Sequence, residues 1–238
     1  KELHAPILLH AREGVGFETA DYIARQEHPV HWCHVATATE AAMAADLTKR
    51  YGQYFTAGVT PHHLTMTDIN ADFQQGWNGA RMQPPLGKEV DHDALLSAYN
   101  TGTLQILETD HAPHIEESKI KAERVNPEGN TDANCFTCFG VSGIEFVVPV
   151  MMALVRRKKI EYERLVDSLH DQPKRMLGIG EKALNAQTIW EVTPTIIGEN
   201  DAVGQSRNTP YFGWMGGARL VGFENKDRSQ IIKAQSRV

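Results

Sequence analysis

Apolar and polar positions recur along the chain with two spacings. Up to residue 110, short apolar runs alternate with longer segments in which apolar residues recur every three or four positions. This alternation is typical of parallel strands joined by crossover helices. The apolar runs predict strands at residues 6–10, 30–35, 54–59 and 104–109. The amphipathic segments predict helices at residues 17–26, 39–50 and 92–99, the second with Thr39 as its N-cap.

The second half of the chain has a different pattern. Residues 142–177 predict two helices, and Gly178 is suited to a left-handed C-cap after the second one. Residues 188–194, 218–223 and 230–233 predict short strands separated by turns rich in Gly, Asn and Pro. We therefore expect an α/β domain over residues 1–185, followed by a small β segment over residues 186–238.

Composition narrows the class of protein only slightly. Of 238 residues, 41% are hydrophobic and 23% are charged, which is typical of soluble globular proteins. A net charge of -6 leaves no basic surplus to neutralise phosphates, which argues against a nucleic-acid partner. No apolar run approaches the roughly 20 residues that span a bilayer, and residues 1–4 do not resemble a secretory signal. Three cysteines cannot form a disulfide framework, which favours a reducing compartment. Together with the lack of a long apolar run, this leads us to expect a cytoplasmic protein without a membrane partner.

Metal-competent residues stand at the ends of three predicted strands. His10 closes the first strand, His34 lies near the end of the second, and Asp110 follows the fourth. Functional loops of parallel α/β folds converge at the carboxyl ends of the strands. A single histidine at such a position is usually structural, but three such positions on one sheet favour a metal site. Imidazole and carboxylate are ligands of catalytic zinc, and zinc lowers the pKa of bound water to about 7.

One motif connects this pattern to a known family. The sequence TDHAPH at residues 109–114 resembles the signature of the dihydroorotases, cyclic amidohydrolases of the amidohydrolase superfamily. Further segments resemble the family in the same order along the chain: CHVAT at 33–37, TPHHL at 60–64, PPLG at 84–87, GVSGIE at 140–145 and SRNTPYFGW at 206–214. The resemblance extends from about residue 6 to residue 221.

The resemblance implies a fold and an activity. The fold would be the C-terminal half, strands 5 to 8, of a TIM-type (β/α)8 barrel, followed by the β segment. The activity would be the interconversion of carbamoyl aspartate and dihydroorotate in pyrimidine biosynthesis, with zinc, binuclear in the complete enzyme. By the same resemblance, His10 and His34 would bind one metal ion. Asp110 would be both a metal ligand and the catalytic acid–base group.

The resemblance also assigns the substrate side of the site. His114 would bind the carboxylate of an anionic small-molecule substrate, and the main chain at Ser142 and Gly143 would assist it. His62 and His63 are expected to shape the turn after the third strand rather than to bind metal. Cys135 and Cys138 form a single Cys-x-x-Cys pair in a long loop, for which an ordinary loop is the expectation.

The sequence departs from the family in what precedes His10. The family's His-x-His pair on the first barrel strand and its lysine or aspartate on the fourth have no counterpart here. We therefore expect the other barrel half to be supplied in cis or in trans, and we expect a homo-oligomer. Two alternatives stay open: a dihydropyrimidinase or hydantoinase acting on neutral rings, and a metal-free dihydroorotase-like scaffold domain. The family typically has a carboxylate two positions after this histidine, whereas this chain has Ala11-Arg12-Glu13, so the sequence does not show which side chain would hold His10 in place.

Overall fold

Four parallel strands form the central sheet of the protein. The computed structural model describes residues 5–69, 80–115, 138–180, 186–206, 208–225 and 230–233. The strands are β1 (Ile7–Leu9), β2 (Val30–Trp32), β3 (Phe55–Val59) and β4 (Ile106–Leu107). They lie side by side in the order β1-β2-β3-β4, and all three pairings are parallel. The expected α/β class with a parallel sheet is confirmed.

All four strands are shorter than the sequence predicted, and at the carboxyl ends of two of them the backbone gives a physical reason. The predicted strand at 30–35 ends at Trp32, and the predicted strand at 104–109 is reduced to two residues. Beyond each strand, His34 and Asp110 have φ angles of 41° and 42°. This left-handed conformation turns the chain out of the extended direction and ends the pairing.

Crossover helices follow the strands. They are α1 (Glu13–Arg25), α2 (Ala38–Tyr51), the short α3 (Pro61–Thr65) and α4 (Glu89–Asn100). The predicted N-cap of the second helix was wrong by two residues: the Thr37 hydroxyl, not that of Thr39, accepts the Glu40 N–H at 3.1 Å. Helix α1 also begins four residues earlier than predicted, at Glu13.

The main core lies between the sheet and the helices. Trp32 is 1% exposed, and its indole N–H donates to the Ala11 carbonyl at 2.7 Å. The ring lies directly against Gly16 of α1, where an added Cβ would be 2.5 Å from it. Trp32 therefore points toward the helices. Its neighbour His31 points to the opposite face of the sheet, because strand side chains alternate.

The C-terminal part contains the two predicted helical regions. The first is α5 (Val147–Arg156). The second consists of α6 (Tyr162–Val166), a π-helical turn over Asp167–Asp171, and α7 (Gln172–Leu177). Gly178 follows with a φ of 64°, so the predicted left-handed C-cap is confirmed.

Short strands follow the helices, as predicted. Strand β5 (Ala186–Glu191) pairs antiparallel with β8 (Arg219–Asn225), which pairs with β9 (Gln230–Lys233). Between them, β6 (Thr195–Ile196) pairs with β7 (Met215–Gly216). A second apolar cluster contains Phe146 and Val150 together with Ile197 and Tyr211, so packing crosses the proposed boundary at 185/186. No helix within the described ranges has the length and apolar character needed to cross a membrane.

Candidate active site

His10 and His34 meet at the carboxyl ends of β1 and β2. The Nε2 atom of His34 lies 2.8 Å from Nδ1 of His10, and the two rings are edge-on with centroids 4.7 Å apart. His34 is 8% exposed, whereas His10 is exposed. Two imidazole nitrogens at this distance share one proton, and a metal ion could replace that proton after a small separation of the rings.

Asp110 adds negative charge beside this pair. Burial raises the pKa of the Asp110 carboxyl, while attraction to His34 opposes the shift. Burial lowers the pKa of His34, against the attraction of Asp110 and Glu108. A carboxylate with a raised pKa is a better proton acceptor, which suits the acid–base role predicted for Asp110.

Strained backbone marks two of the three predicted ligands. Left-handed φ angles are uncommon outside glycine and cluster at functional sites. The described part of the chain has five such non-glycine residues, and His34 and Asp110 are two of them. In addition, the buried Nδ1 atom of His34 has no hydrogen-bond partner. This orphaned atom, the facing imidazoles and the nearby carboxylate fit the donor chemistry of zinc.

A layer of polar side chains lies immediately below the histidine pair. His31 pairs through Nε2 with Glu108 Oε1, and its Nδ1 lies 2.8 Å from the Thr56 hydroxyl. Glu108 Oε2 accepts the main-chain N–H of His34 at 3.1 Å. Ligand atoms of His31, Cys33 and Glu108 all lie within 4.8 Å of one another, and within the described ranges this is the three-residue group that meets that distance. The predicted set with Asp110 does not, so its convergence on one ion stays a prediction.

Burial explains the state of the cysteine in this layer. The pKa of the Cys33 thiol is raised to about 12, by burial first and then by the charges of Glu108 and Asp110. The thiol is therefore protonated at neutral pH and behaves as a small apolar group.

Glu40 holds the two loops that carry His10 and His34. Its Oε1 accepts from Arg12 Nε and from the N–H of Glu13, both at 3.0 Å, and its Oε2 accepts from the N–H of Ala36 at 2.9 Å. The sequence did not show which group supports the His10 loop, and in the structure the Glu40 carboxylate does so. The spacing from Thr37 to Glu40 matches a capping box and signalled an acid at this point, but nothing in the sequence showed that it is buried.

The predicted substrate loop is ordered by its own hydrogen bonds. The Ser142 hydroxyl donates to Ser206 Oγ at 2.9 Å, and Ser206 Oγ donates to the His114 carbonyl at 2.7 Å. The N–H groups of Gly143 and Ile144 point at Nδ1 of His111, at 3.2 and 3.3 Å. The structure thus links the predicted residues His114 and Ser142 through Ser206, which sequence reasoning missed. Their contact with substrate stays a prediction.

His63 makes hydrogen bonds at the turn after β3, as expected. Thr60 caps α3, with its hydroxyl 2.7 Å from His63 Nδ1 and 3.3 Å from the His63 main-chain N. Complete burial, followed by the charge of His34, lowers the pKa of His63 to about 4. His62 is equally buried and packs ring against ring with His63. Of the cysteine pair, Cys138 is half-buried and Cys135 lies outside the described residues.

The chain resembles known proteins in both fold and sequence. No profile of a protein family matches the chain. The structure of a dihydropyrimidinase from Brevibacillus agri NCHU1002 superposes with a TM-score of 0.75 at 17% identity, over 97% of this chain and 57% of that one. The inactive dihydroorotase-like domain of a CAD-like multifunctional protein of Chaetomium thermophilum superposes with a TM-score of 0.66 at 15% identity, over 95% and 57% of the two chains. The fold is therefore shared with these two proteins.

Sequence similarity narrows the relationship further. A dihydroorotase of Bacillus cereus (strain AH820) is 30% identical over 191 residues, which is 77% of this chain and 41% of that protein. By sequence the chain is related to the dihydroorotases, as the motif at residues 109–114 predicted. The chain spans about two fifths of the length of the curated relative that it matches.

Proposed function

We propose that the chain carries the C-terminal half of a zinc-dependent cyclic amidohydrolase that interconverts carbamoyl aspartate and dihydroorotate. The observation that carries the proposal is the facing pair His10 and His34, 2.8 Å apart, with the charge of Asp110 beside it. Neutral imidazoles and a carboxylate at the carboxyl end of a parallel sheet form a donor set suited to catalytic zinc.

The residues of this chain would divide the work in the following way. His10, His34 and Asp110 would hold zinc, which supplies Lewis-acid chemistry when it is bound. The Asp110 carboxylate would accept the proton of the attacking water and return it to the leaving ring nitrogen. His114, fixed through Ser206, would bind the substrate carboxylate by a charge-assisted hydrogen bond.

The sheet itself supports completion by further strands. Among the described residues, β1 and β4 are edge strands of the four-stranded sheet. Two apolar side chains of β1, Ile7 and Leu8, are 43% and 53% exposed. An exposed apolar edge is a liability that proteins cover. Barrel strands 1 to 4, in cis or in trans, would cover it and contribute the remaining metal ligands of a cytoplasmic, homo-oligomeric enzyme.

Two other functions have specific support. The similarity to a dihydropyrimidinase structure favours, as second candidate, hydrolysis of uncharged rings. The similarity to an inactive dihydroorotase-like domain is compatible with a scaffold that binds no metal. The scaffold alternative gives no reason for a strained His34 to face His10 beside the charge of Asp110, so we favour the enzyme.

Steady-state kinetics on the enzyme completed with barrel strands 1 to 4 test the proposal. Asp110→Asn should abolish turnover, because it removes a ligand charge and the proton relay together. His114→Ala should lower kcat/KM for dihydroorotate by about 10- to 150-fold, equivalent to roughly 1.5–3 kcal/mol for one charge-assisted hydrogen bond.

Controls separate the three candidate functions. His114→Ala should leave the rate on an uncharged dihydropyrimidine nearly unchanged, and an equal loss on both substrates would favour the neutral-ring enzyme. The 238-residue chain alone should bind zinc weakly and turn over neither substrate. A completed protein that binds no zinc would favour the scaffold.

A further inference from the structure

The polar layer below the histidine pair contains His31, Thr56 and Glu108, and it is bonded to the main chain of His34. We propose that Glu108 is a positioning residue, which holds His34 in its metal-binding conformation through a main-chain hydrogen bond. The inference rests on the proposed metal site, because it concerns how one predicted ligand is held. Glu108 lies two residues before Asp110 in the chain but acts on a residue of a different strand end.

Both oxygens of the Glu108 carboxylate are fixed. Oε2 accepts the His34 N–H at 3.1 Å, and Oε1 pairs with Nε2 of His31. The His31 ring is held in turn by Thr56, 2.8 Å from its other nitrogen. His31 is 2% exposed, so this chain of contacts lies inside the protein, where hydrogen bonds are strengthened by the low dielectric. Three neighbouring strands thus contribute to the position of one carboxylate.

The conformation of His34 explains why such a contact is needed. A left-handed conformation is strained for an L-amino acid, and at His34 it takes the N–H out of the ladder of the sheet. The main chain on either side remains paired: Cys33 N–H donates to Leu9, and Val35 N–H to Gly58. The His34 N–H is left to Glu108. Because the direction of a side chain follows from its backbone angles, this bond also directs the His34 ring toward His10.

Space for Glu108 is provided by Gly58 on the adjacent strand. A methyl group added at Gly58 would overlap the Glu108 carboxylate. The carboxylate therefore has one place in which it can lie and two partners that it must reach. A side chain one methylene shorter cannot span both of them, whereas an amide of the same length can.

Two matched variants of Glu108 separate the effect of side-chain length from the effect of charge. Glu108→Gln keeps the length and an oxygen for the His34 N–H, and its amide N–H can donate to His31 Nε2 when that ring donates to Thr56. Glu108→Asp keeps the charge and loses the reach. If Glu108 positions His34, Glu108→Asp should weaken Co²⁺ binding by about 10- to 100-fold, the usual effect of losing a group that orients a ligand. Glu108→Gln should recover most of that loss.

The experiment is a Co²⁺ titration of the protein completed with barrel strands 1 to 4, followed by the visible d–d spectrum, with folding checked by circular dichroism. The Glu108→Asp spectrum should also change shape, which a purely structural role would not produce. Equal affinity of both variants and the parent would overturn the inference, as would weaker binding by Glu108→Gln than by Glu108→Asp. A sulfur-to-cobalt charge-transfer band that Cys33→Ser removes would also overturn it, since His31, Cys33 and Glu108 would then bind an ion themselves.

His34→Ala is the control for the metal site. If it abolishes the spectrum while Glu108→Asp has no effect, the positioning role fails and the proposed site stands. If His34→Ala leaves the Co²⁺ spectrum unchanged, the proposed metal site fails, and the inference fails with it.

Discussion

At the scale of single residues, Glu40 is a buried negative charge stabilised by one cation and two main-chain donors. Its side chain is 1% exposed, and the Arg12 side chain that pairs with it is 36% exposed. A buried charge costs free energy unless it is paired and hydrogen-bonded, and here both conditions are met. Because the donors come from the loops after β1 and β2, this one carboxylate ties together the segments that follow His10 and His34.

Glu40→Gln should therefore lower the free energy of unfolding by roughly 2–3 kcal/mol. One of the amide hydrogens of Gln must face either the Arg12 guanidinium or the Ala36 N–H, and neither can accept it. Urea denaturation measures the change. The matched control is Glu18→Gln on the exposed face of α1, for which we expect less than about 0.5 kcal/mol. A similar small effect at Glu40 would contradict its structural role.

The difference between predicted and unpredicted residues has a physical cause. The positions of His10 and His34 at strand ends could be predicted, because the end of a strand is visible in the local apolar pattern. Glu40 accepts from the main chain of Glu13, 27 positions away, and Glu108 from that of His34, 74 positions away. No local pattern encodes such a contact.

At the scale of secondary structure, α1 approaches the sheet through a glycine. Gly16 lies in the helix interior, where glycine is unfavourable by about 1 kcal/mol relative to alanine. The close contact with the Trp32 ring accounts for the glycine at this position, since Trp32 is buried and its indole is hydrogen-bonded.

Gly16→Ala should destabilise the protein by about 1–3 kcal/mol, because overpacking against Trp32 outweighs the gain in helix propensity. Gly14→Ala is the matched control in the same helix. An added Cβ there has no neighbour within 4 Å, so we expect a change between zero and about 1 kcal/mol of stabilisation. Thermal and urea denaturation of both variants give the comparison. Stabilisation by Gly16→Ala would show that Trp32 can move.

Element types could be predicted more reliably than their ends. The alternation of apolar runs and amphipathic segments placed strands and helices in the right order. Their ends depend on backbone strain and capping, as at His34 and Thr37, which composition does not determine.

At the scale of the whole molecule, stability should depend on pH through a buried histidine. The pKa of His63 is lowered from 6.5 to about 4 in the folded protein, chiefly by burial. Between these pH values, the unfolded chain binds a proton that the folded chain does not. Stability from this residue is therefore complete above pH 6.5 and is lost as the pH falls toward 4.

The expected loss is about 3 kcal/mol between pH 6.5 and 4, at about 1.4 kcal/mol for each unit of pKa shift. Urea denaturation across this range should show a shallower pH dependence for His63→Gln than for the parent. His34 titrates in the same direction, so some dependence should remain. A parental slope for His63→Gln would refute the assignment.

The α/β architecture and the relationship to dihydroorotases could be predicted from the sequence because strand-end motifs occur in family order. The domain boundary was harder to assess, because Ile197 and Tyr211 pack against Phe146 across it. Apolar residues in short strands carry no periodic mark of the partner against which they pack.

The left-handed backbone at Asp110 implies that an aspartate at this position makes the folded protein less stable than an asparagine would. Asparagine tolerates this conformation better than most residues, and an amide avoids the burial that disfavours the Asp110 charge. Without metal, the Asp110→Asn protein should melt about 2–4 °C higher than its parent, a rise equivalent to about 1 kcal/mol in scanning calorimetry. A lower melting temperature would mean that attraction to His34 outweighs burial. A rise of that size would show that aspartate is not the most stable residue at position 110, which is common where a residue is selected for function.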